Sequence, residues 1–555
     1  MQTPVINLWT WLLAFSPIAV VLVLMVGFRW GSKKAGPVGW VVALAVAILF
    51  FGAGPDVLLY SQLRGLLLTL YVLYIIWMAL VLYRVVDEAG AITSIGQGIA
   101  RLTSEPTMQV LLLAWAFSSF VQGVAGFGVG IAVVAPLLIG LGFAPVVAMA
   151  SVAIGHSWAV TFGSMASSFQ AMMAATGLPG ADLAPWSAFF LGVSCFGCGI
   201  GAAWMLRGWQ SVRKGWVALL IMGMTMAGVQ AALAINGLWN LGGFGSGLAG
   251  LAVGALVARL PRYQQSDASP GSRGWQAGDA ATETAPAQTK TEGTSATGTH
   301  PSETGSSPKT MSLRLAVLSY LILIVVVGAA ELWPWLNGVL DQVKIQVQFP
   351  ELQTSYGWVT PAGPGRTISI FGHAGALLAY VAVISFLLYW RLGYYTPGVL
   401  KRIVQQTIRS AVPSSIGIAS MVGMATIMDN SGMIFVLAQG LSKAAGPFYP
   451  FVSPFIGLLG AFMTGSNTNS NVVFAPLQQQ AAALLGISAL VVLGAQTTGG
   501  ALGSMLAPAK IIVGCSTTGL VGREGEVLKK TIPTGLIITG VVGILATLAV
   551  FWLGK

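Results

Sequence analysis

Apolar residues fall in long runs along this chain, separated by short basic or Gly/Pro-rich breaks. Many runs reach the roughly 20 residues that a helix needs to cross a bilayer. Unbroken runs predict spans at about 8–28, 37–53, 65–83, 185–206, 216–236, 241–258, 313–332, 367–390, 411–428 and 531–553. The first of these reads as a retained span rather than a cleaved leader. Other runs are interrupted. The run 108–143 is broken by Gln122-Gly-Val-Ala-Gly-Phe-Gly128, and 146–173 is broken around 156–168. The run that begins at Phe451 meets Thr464-Gly-Ser-Asn-Thr-Asn-Ser-Asn471, eight residues with no apolar side chain, and 489–515 is broken in turn. Two amphipathic pieces, 87–101 and 429–443, are too polar to span and predict short helices at the membrane interface, capped by Asp87 and Asp429.

The pattern repeats itself. Asp87 aligns with Asp429, Gly90 with Gly432, Gln97-Gly98 with Gln439-Gly440, and Gly123 with Gly465, at a shift of 342 residues. After a slip to 340, Ala135-Pro136 aligns with Ala475-Pro476 and Gly163-Ser-Met165 with Gly503-Ser-Met505. Basic residues then set the orientation. Lys33, Lys34, Arg84, Arg101, Arg207, Lys214, Arg262, Arg391, Lys401, Arg523 and Lys530 mark loops on the cytoplasmic side, which leaves the N-terminus outside. The two copies come out inverted. The expected architecture is all-α and polytopic, about 12–14 spans in two inverted repeats with interrupted helices or re-entrant hairpins and paired interfacial helices. Its parts are a first repeat with N-terminal spans (1–206), linking spans (207–262), a cytoplasmic linker rich in Ser, Thr, Gly and Ala expected to be disordered (263–312), an extra span with an outside loop (313–366), and the second repeat (367–555).

Composition agrees, with 55% hydrophobic and 8% charged residues. The net charge of +11 sits in loops beside spans and is not a nucleic-acid signal. Cys195 and Cys198, spaced i, i+3 in an apolar run, read as small packing residues. No nucleophile–base pair, metal cluster or phosphate-cradling loop is visible, which argues against an enzyme and implies no cofactor.

Chemistry concentrates at the breaks. Gly123, Gly126 and Gly128 permit either close backbone approach to a ligand or close helix packing, and Gln122 adds an amide. Thr464, Gly465, Ser466, Asn467, Thr468, Asn469 and Asn471 present more donors and acceptors than packing requires, and suit a small anion or a cation. Ser466, Asn467 and Thr468 form a candidate sodium site. His156 and its repeat partner Gln496, beside Thr497 and Thr498, are candidates for ligand contact, His156 also for proton relay. Lys510 is a cation deep in an apolar stretch; it either meets a substrate carboxylate or snorkels to the membrane edge.

Four segments, Gln-Gly-Val-Ala-Gly-Phe-Gly at 122–128, Gly-Ser-Asn-Thr-Asn-Ser-Asn at 465–471, Thr-Thr-Gly-Gly at 497–500 and Gly-Leu-Val-Gly-Arg-Glu at 519–524, resemble the L-lactate permease family, and the likeness keeps its order over nearly the whole chain. The resemblance implies uptake of lactate, glycolate or a related 2-hydroxymonocarboxylate across a bacterial inner membrane by proton symport. It also implies an acidic residue at each of two positions that here hold Gln122 and Asn467. If those acids carry the proton in the family, coupling here falls to His156, to sodium at the 464–471 stretch, or to nothing.

Overall fold

The computed structural model describes residues 7–28, 30–126, 128–264 and 311–553. Among these, thirteen helices are long and apolar enough to cross a membrane, joined by the shorter apolar helices Val129–Gly140 and Pro145–Gly155. The two longest unbroken helices among them form a pair. Pro55–Glu88 has 34 residues, roughly 51 Å at 1.5 Å per residue, and Val399–Asn430 has 32. They lie side by side. Their contacts run in opposite senses along the two chains: Ser61 with Asn430, Trp77 with Ser415, and Glu88 with Arg402, an ion pair at 3.0 Å. The two helices are therefore antiparallel.

Each is followed by the same series of elements. After Pro55–Glu88 come Ala91–Ala100, a hairpin of Pro106–Val124 with Val129–Gly140, a broken helix of Pro145–Gly155 and Gly163–Thr176, and Gly180–Arg207. After Val399–Asn430 come Met433–Ala445, a hairpin of Tyr449–Thr464 with Asn467–Leu485, a broken helix of Ala489–Gly503 and Pro508–Thr517, and Glu524–Leu553. Gly90 (φ +79°) and Gly432 (φ +83°) end the two long helices, because a left-handed residue there stops the helical ladder. This corrects the reading of Asp87 and Asp429 as caps. Both lie in the last turn of the preceding long helix, and the next helix starts only after the glycine. Asp87 there gains Arg84 at 3.8 Å.

The expected outside loop contains a β-arm. Lys344–Ile345 pairs with Ile368–Ser369, Gln348–Phe349 with Gly363–Pro364, and Leu352–Gln353 with Val359–Thr360, three nested antiparallel pairs in one hairpin. Consequently the span expected from 367 starts only at Ala374. The arm rests on both long helices. Arg64 donates to Pro361 O at 3.3 Å, and Thr360 Oγ1 donates to Asn430 O at 3.4 Å.

Most of the expected linker, 265–310, lies outside the described residues. Its expected first residue, Tyr263, is instead a buried anchor, its carbonyl accepting from Thr103 Oγ1 at 2.7 Å. Glycines set the tightest packing in the second half. A Cβ at Gly499 would lie 1.8 Å from Pro454 O, and one at Gly457 2.0 Å from Gln496 O. That closeness lets Tyr449–Thr464 and Ala489–Gly503 touch along their backbones.

Candidate functional site

The second hairpin turns at Gly465 (φ +70°) and Ser466, and both residues serve the turn itself. Thr464 Oγ1 donates back to Gly460 O at 2.8 Å, and Ser466 Oγ caps the next helix by accepting from Asn469 N at 3.4 Å. Beyond the turn, the amides reach across to the first half. Asn467 Nδ2 donates to Thr161 Oγ1 at 3.0 Å and to Thr497 O at 3.2 Å. Asn471 Nδ2 donates to Ser168 O at 2.9 Å and to Thr497 Oγ1 at 2.8 Å. Thr468 and Ser168 share a hydroxyl contact at 3.0 Å. Because Thr497 O and Ser168 O can only accept, the amide nitrogens face them. The oxygens Asn467 Oδ1, Asn469 Oδ1 and Asn471 Oδ1 remain buried without a partner among the described residues. Unmatched acceptors of this kind cost free energy, about 1–3 kcal/mol each, unless a donor or cation arrives.

Lys510 lies beside this turn, 8% exposed, with its ammonium donating to Ser504 Oγ. Among the described residues no carboxylate pairs with it. A cavity of about 180 Å³ opens there, lined by Ser32, Ser414, Thr464, Ser466, Asn469 and Lys510 among others. Its size is below the roughly 300–1,000 Å³ that suits drug-sized ligands and fits a small polar ion. A larger groove of about 890 Å³ lies between Gly180–Arg207 and Glu524–Leu553, but its lining is almost wholly apolar and it holds none of these groups.

The first hairpin tip approaches from the other side. Gly128 (φ +82°) faces the Lys510 stem, with a Cβ 3.6 Å from Lys510 Cγ, and Gly126 lies against Ser164 Oγ. Gly123 serves packing, its Cα side pressed on the Gly243–Phe244 backbone. Gln122 lies beside Gly163, its Oε1 buried and unpartnered among the described residues.

Other expected residues fall elsewhere. Gln496, Thr497 and Thr498 sit within the continuous helix Ala489–Gly503; the interruption comes after it, before Pro508. Gln496 belongs to a separate side-chain network, accepting from Gln478 Nε2 and donating to Ser470 Oγ at 3.2 Å, and Thr498 Oγ1 bonds Gly494 O in its own helix. Only Thr497 joins the asparagines. His156 is fully buried outside the cavity lining; Nδ1 donates to Val152 O at 2.7 Å, which leaves Nε2 as an acceptor without a partner among the described residues. Thr161, Ser168 and Ser504 were not singled out from the sequence, although Thr161 and Ser168 fall inside the flagged break at 156–168. Ser504 had a signal too, as repeat partner of Ser164. Ser32 and Ser414 had none, since they come from distant helices.

A sequence profile described as L-lactate permease matches residues 10–553. The chain belongs to the L-lactate permease family. This permease-family chain is 28% identical to the glycolate permease GlcA of Escherichia coli (strain K12), over 97% of its own length and 95% of that protein's. It is 28% identical to the L-lactate permease of Salmonella typhimurium over 99% of this chain and 97% of that one, and 26% identical to that of Bacillus subtilis (strain 168) over 94% and 91%. Among solved structures, the YdaH transporter of Alcanivorax borkumensis shares 13% identity over 86% of this chain and 85% of that one, with a TM-score of 0.43. The family fixes the class: a multi-pass membrane transport protein, not an enzyme.

Proposed function

We propose that the protein is a secondary active carrier for small 2-hydroxymonocarboxylates such as lactate or glycolate, taking them up across a bacterial inner membrane by alternating access. The observation that carries this reading is Lys510, a buried cation without a carboxylate partner among the described residues, at a small polar cavity beside the second hairpin turn. The substrate carboxylate meets the Lys510 ammonium, and Ser466, Asn469 and Thr464 read the hydroxyl. Charge-assisted hydrogen bonds of this kind contribute about 1.5–3 kcal/mol each. The antiparallel pair Pro55–Glu88 and Val399–Asn430 supports an inverted repeat, in which the hairpins and broken helices rock against a scaffold built around those long helices. The names of the related permeases support the substrate class.

Coupling to protons places the proton on His156 Nε2, the buried acceptor near the first break. A second reading, sodium coupling, is favoured by the unpartnered oxygens of Asn467, Asn469 and Asn471, since amide oxygens are ligands for hard cations. Reconstituted protein should accumulate lactate or glycolate under one of two imposed gradients. Uptake driven by a proton gradient alone supports the first reading, and uptake only with sodium supports the second. No accumulation of either acid under any gradient would reject the carrier function.

A further inference from the structure

A group of buried donors without acceptors among the described residues lies at the β-arm, away from the Lys510 cavity. The Arg366 guanidinium covers the face of Tyr71, with Cζ 4.2 Å from the ring centroid, and donates from Nη2 to the Tyr71 hydroxyl at 2.8 Å. Its Nε is buried and unpartnered, and no carboxylate pairs with it among the described residues. His373 packs its ring against Tyr71 at 4.4 Å and stacks on Tyr74 at 5.0 Å. It is 5% exposed. His373 Nδ1 accepts the Gly375 N–H at 3.2 Å, so the ring proton is on Nε2, which has no partner among the described residues. Two buried N–H donors and one positive charge thus belong to side chains packed on a single tyrosine, and neither donor has an acceptor among the described residues. Each such donor costs free energy while unmatched, a cost that a carboxylate would remove.

The acids nearby are already engaged. Glu331 accepts from Asn240 Nδ2 at 3.1 Å, and Asp341 pairs with Lys344 at 2.9 Å. The cluster is also wired inward. The Tyr71 hydroxyl donates to Gln170 Oε1 at 2.6 Å, and Gln170 lies in the same helical segment as Ser168, whose carbonyl accepts from Asn471.

We infer that Arg366, His373 and Tyr71 form a carboxylate-binding subsite at the β-arm face, where the organic anion docks before it reaches the Lys510 cavity. This rests on the carrier reading above. Arg366 supplies the charge and the Nε donor, His373 Nε2 supplies a second donor, and Tyr71 fixes both and links them to the first broken helix.

The test measures initial uptake against L-lactate concentration for the full chain in cells that lack their own carrier. Arg366→Gln should raise KM about tenfold with kcat changed less than twofold, and Arg366→Lys should recover part of it. His373→Asn, which keeps an acceptor for the Gly375 N–H, should raise KM a few-fold. A wild-type KM in Arg366→Gln, or a loss confined to kcat and the thermal unfolding midpoint, would overturn the subsite. Equilibrium binding of labelled L-lactate and acetate to Lys510→Ala separates the two claims. Residual binding that disappears when Arg366→Gln is added supports the subsite even if wild-type uptake fails, which would reject the carrier reading alone. No binding to Lys510→Ala, with wild-type uptake intact, rejects the subsite alone.

Discussion

Asn467 stands where the family resemblance leads one to look for an acid, and its amide does what a carboxylate ion cannot. It donates to Thr161 Oγ1 and to the Thr497 carbonyl, while its oxygen lies against the Gly500 backbone, where a Cβ would come within 2.0 Å. A carboxylate in its place would turn a charged oxygen toward that carbonyl, so an Asn467→Asp side chain should hold a proton to keep the contact. The expected result is an added titration in uptake: the variant works while the new carboxyl is protonated and loses activity as pH rises through its pKa, a limb the wild type lacks. Uptake by Asn467→Asp with an unchanged pH profile would show that position 467 does not face the transport path. At this scale the sequence was informative about the second turn, because eight consecutive polar residues between apolar runs leave little alternative to a site. It was less informative about which of them do what. Thr464, Gly465 and Ser466 build the turn, whereas Asn467 and Asn471 bind across to Thr161, Ser168 and Thr497. Only the path of the first half decides that division.

The first broken helix holds its geometry at a cost. Ser164, Met165 and Ala166 occupy the left-handed region in succession, at φ 49°, 53° and 56°. Such residues cost about 1–2 kcal/mol each, and the turn is held in place by Gln170 Nε2 donating to Met165 O at 3.2 Å. Ala166 is fully buried. Ala166→Gly removes the backbone penalty and loses about 0.8 kcal/mol of buried methyl, so it should leave stability unchanged or raise it by up to about 1 kcal/mol. Ala166→Val places a β-branched side chain at positive φ and should destabilise by at least about 1 kcal/mol. Thermal unfolding in detergent orders the variants, and equal midpoints for glycine and valine would argue against the left-handed turn. Elements were legible in the sequence wherever a long apolar run or a conformational glycine marked them. The β-arm did carry one signal, the alternating apolar and polar run Val343-Lys-Ile-Gln-Val-Gln-Phe349, but its strands are two-residue pairs and Pro350, Pro361 and Pro364 leave the returning strands without such a run. Asp87 and Asp429 misled for a related reason: aspartate favours a helix start, but the glycine three residues on decides where the chain turns.

Across the whole molecule, the two long helices run antiparallel and carry the same succession of elements after them, so that two hairpin turns and two broken helices meet around Lys510 and the asparagines. The repeat was visible in the sequence as matched Asp, Gly and Ala-Pro positions. The cavity was only partly visible, since Ser32 and Ser414 come from helices far along the chain and carry no local mark. The carrier account makes Lys510 the charge that receives the substrate, and a lysine with no carboxylate partner among the described residues has little structural reason to be retained there. Counterflow isolates this claim from the coupling ion. Proteoliposomes loaded with unlabelled L-lactate are diluted into labelled L-lactate with no ion gradient, and exchange is compared between wild type and Lys510→Gln. The wild type should exchange, and Lys510→Gln should exchange about 10- to 100-fold more slowly, as expected for the loss of one charge-assisted contact of about 1.5–3 kcal/mol. Exchange by Lys510→Gln at the wild-type rate would contradict the account at its centre.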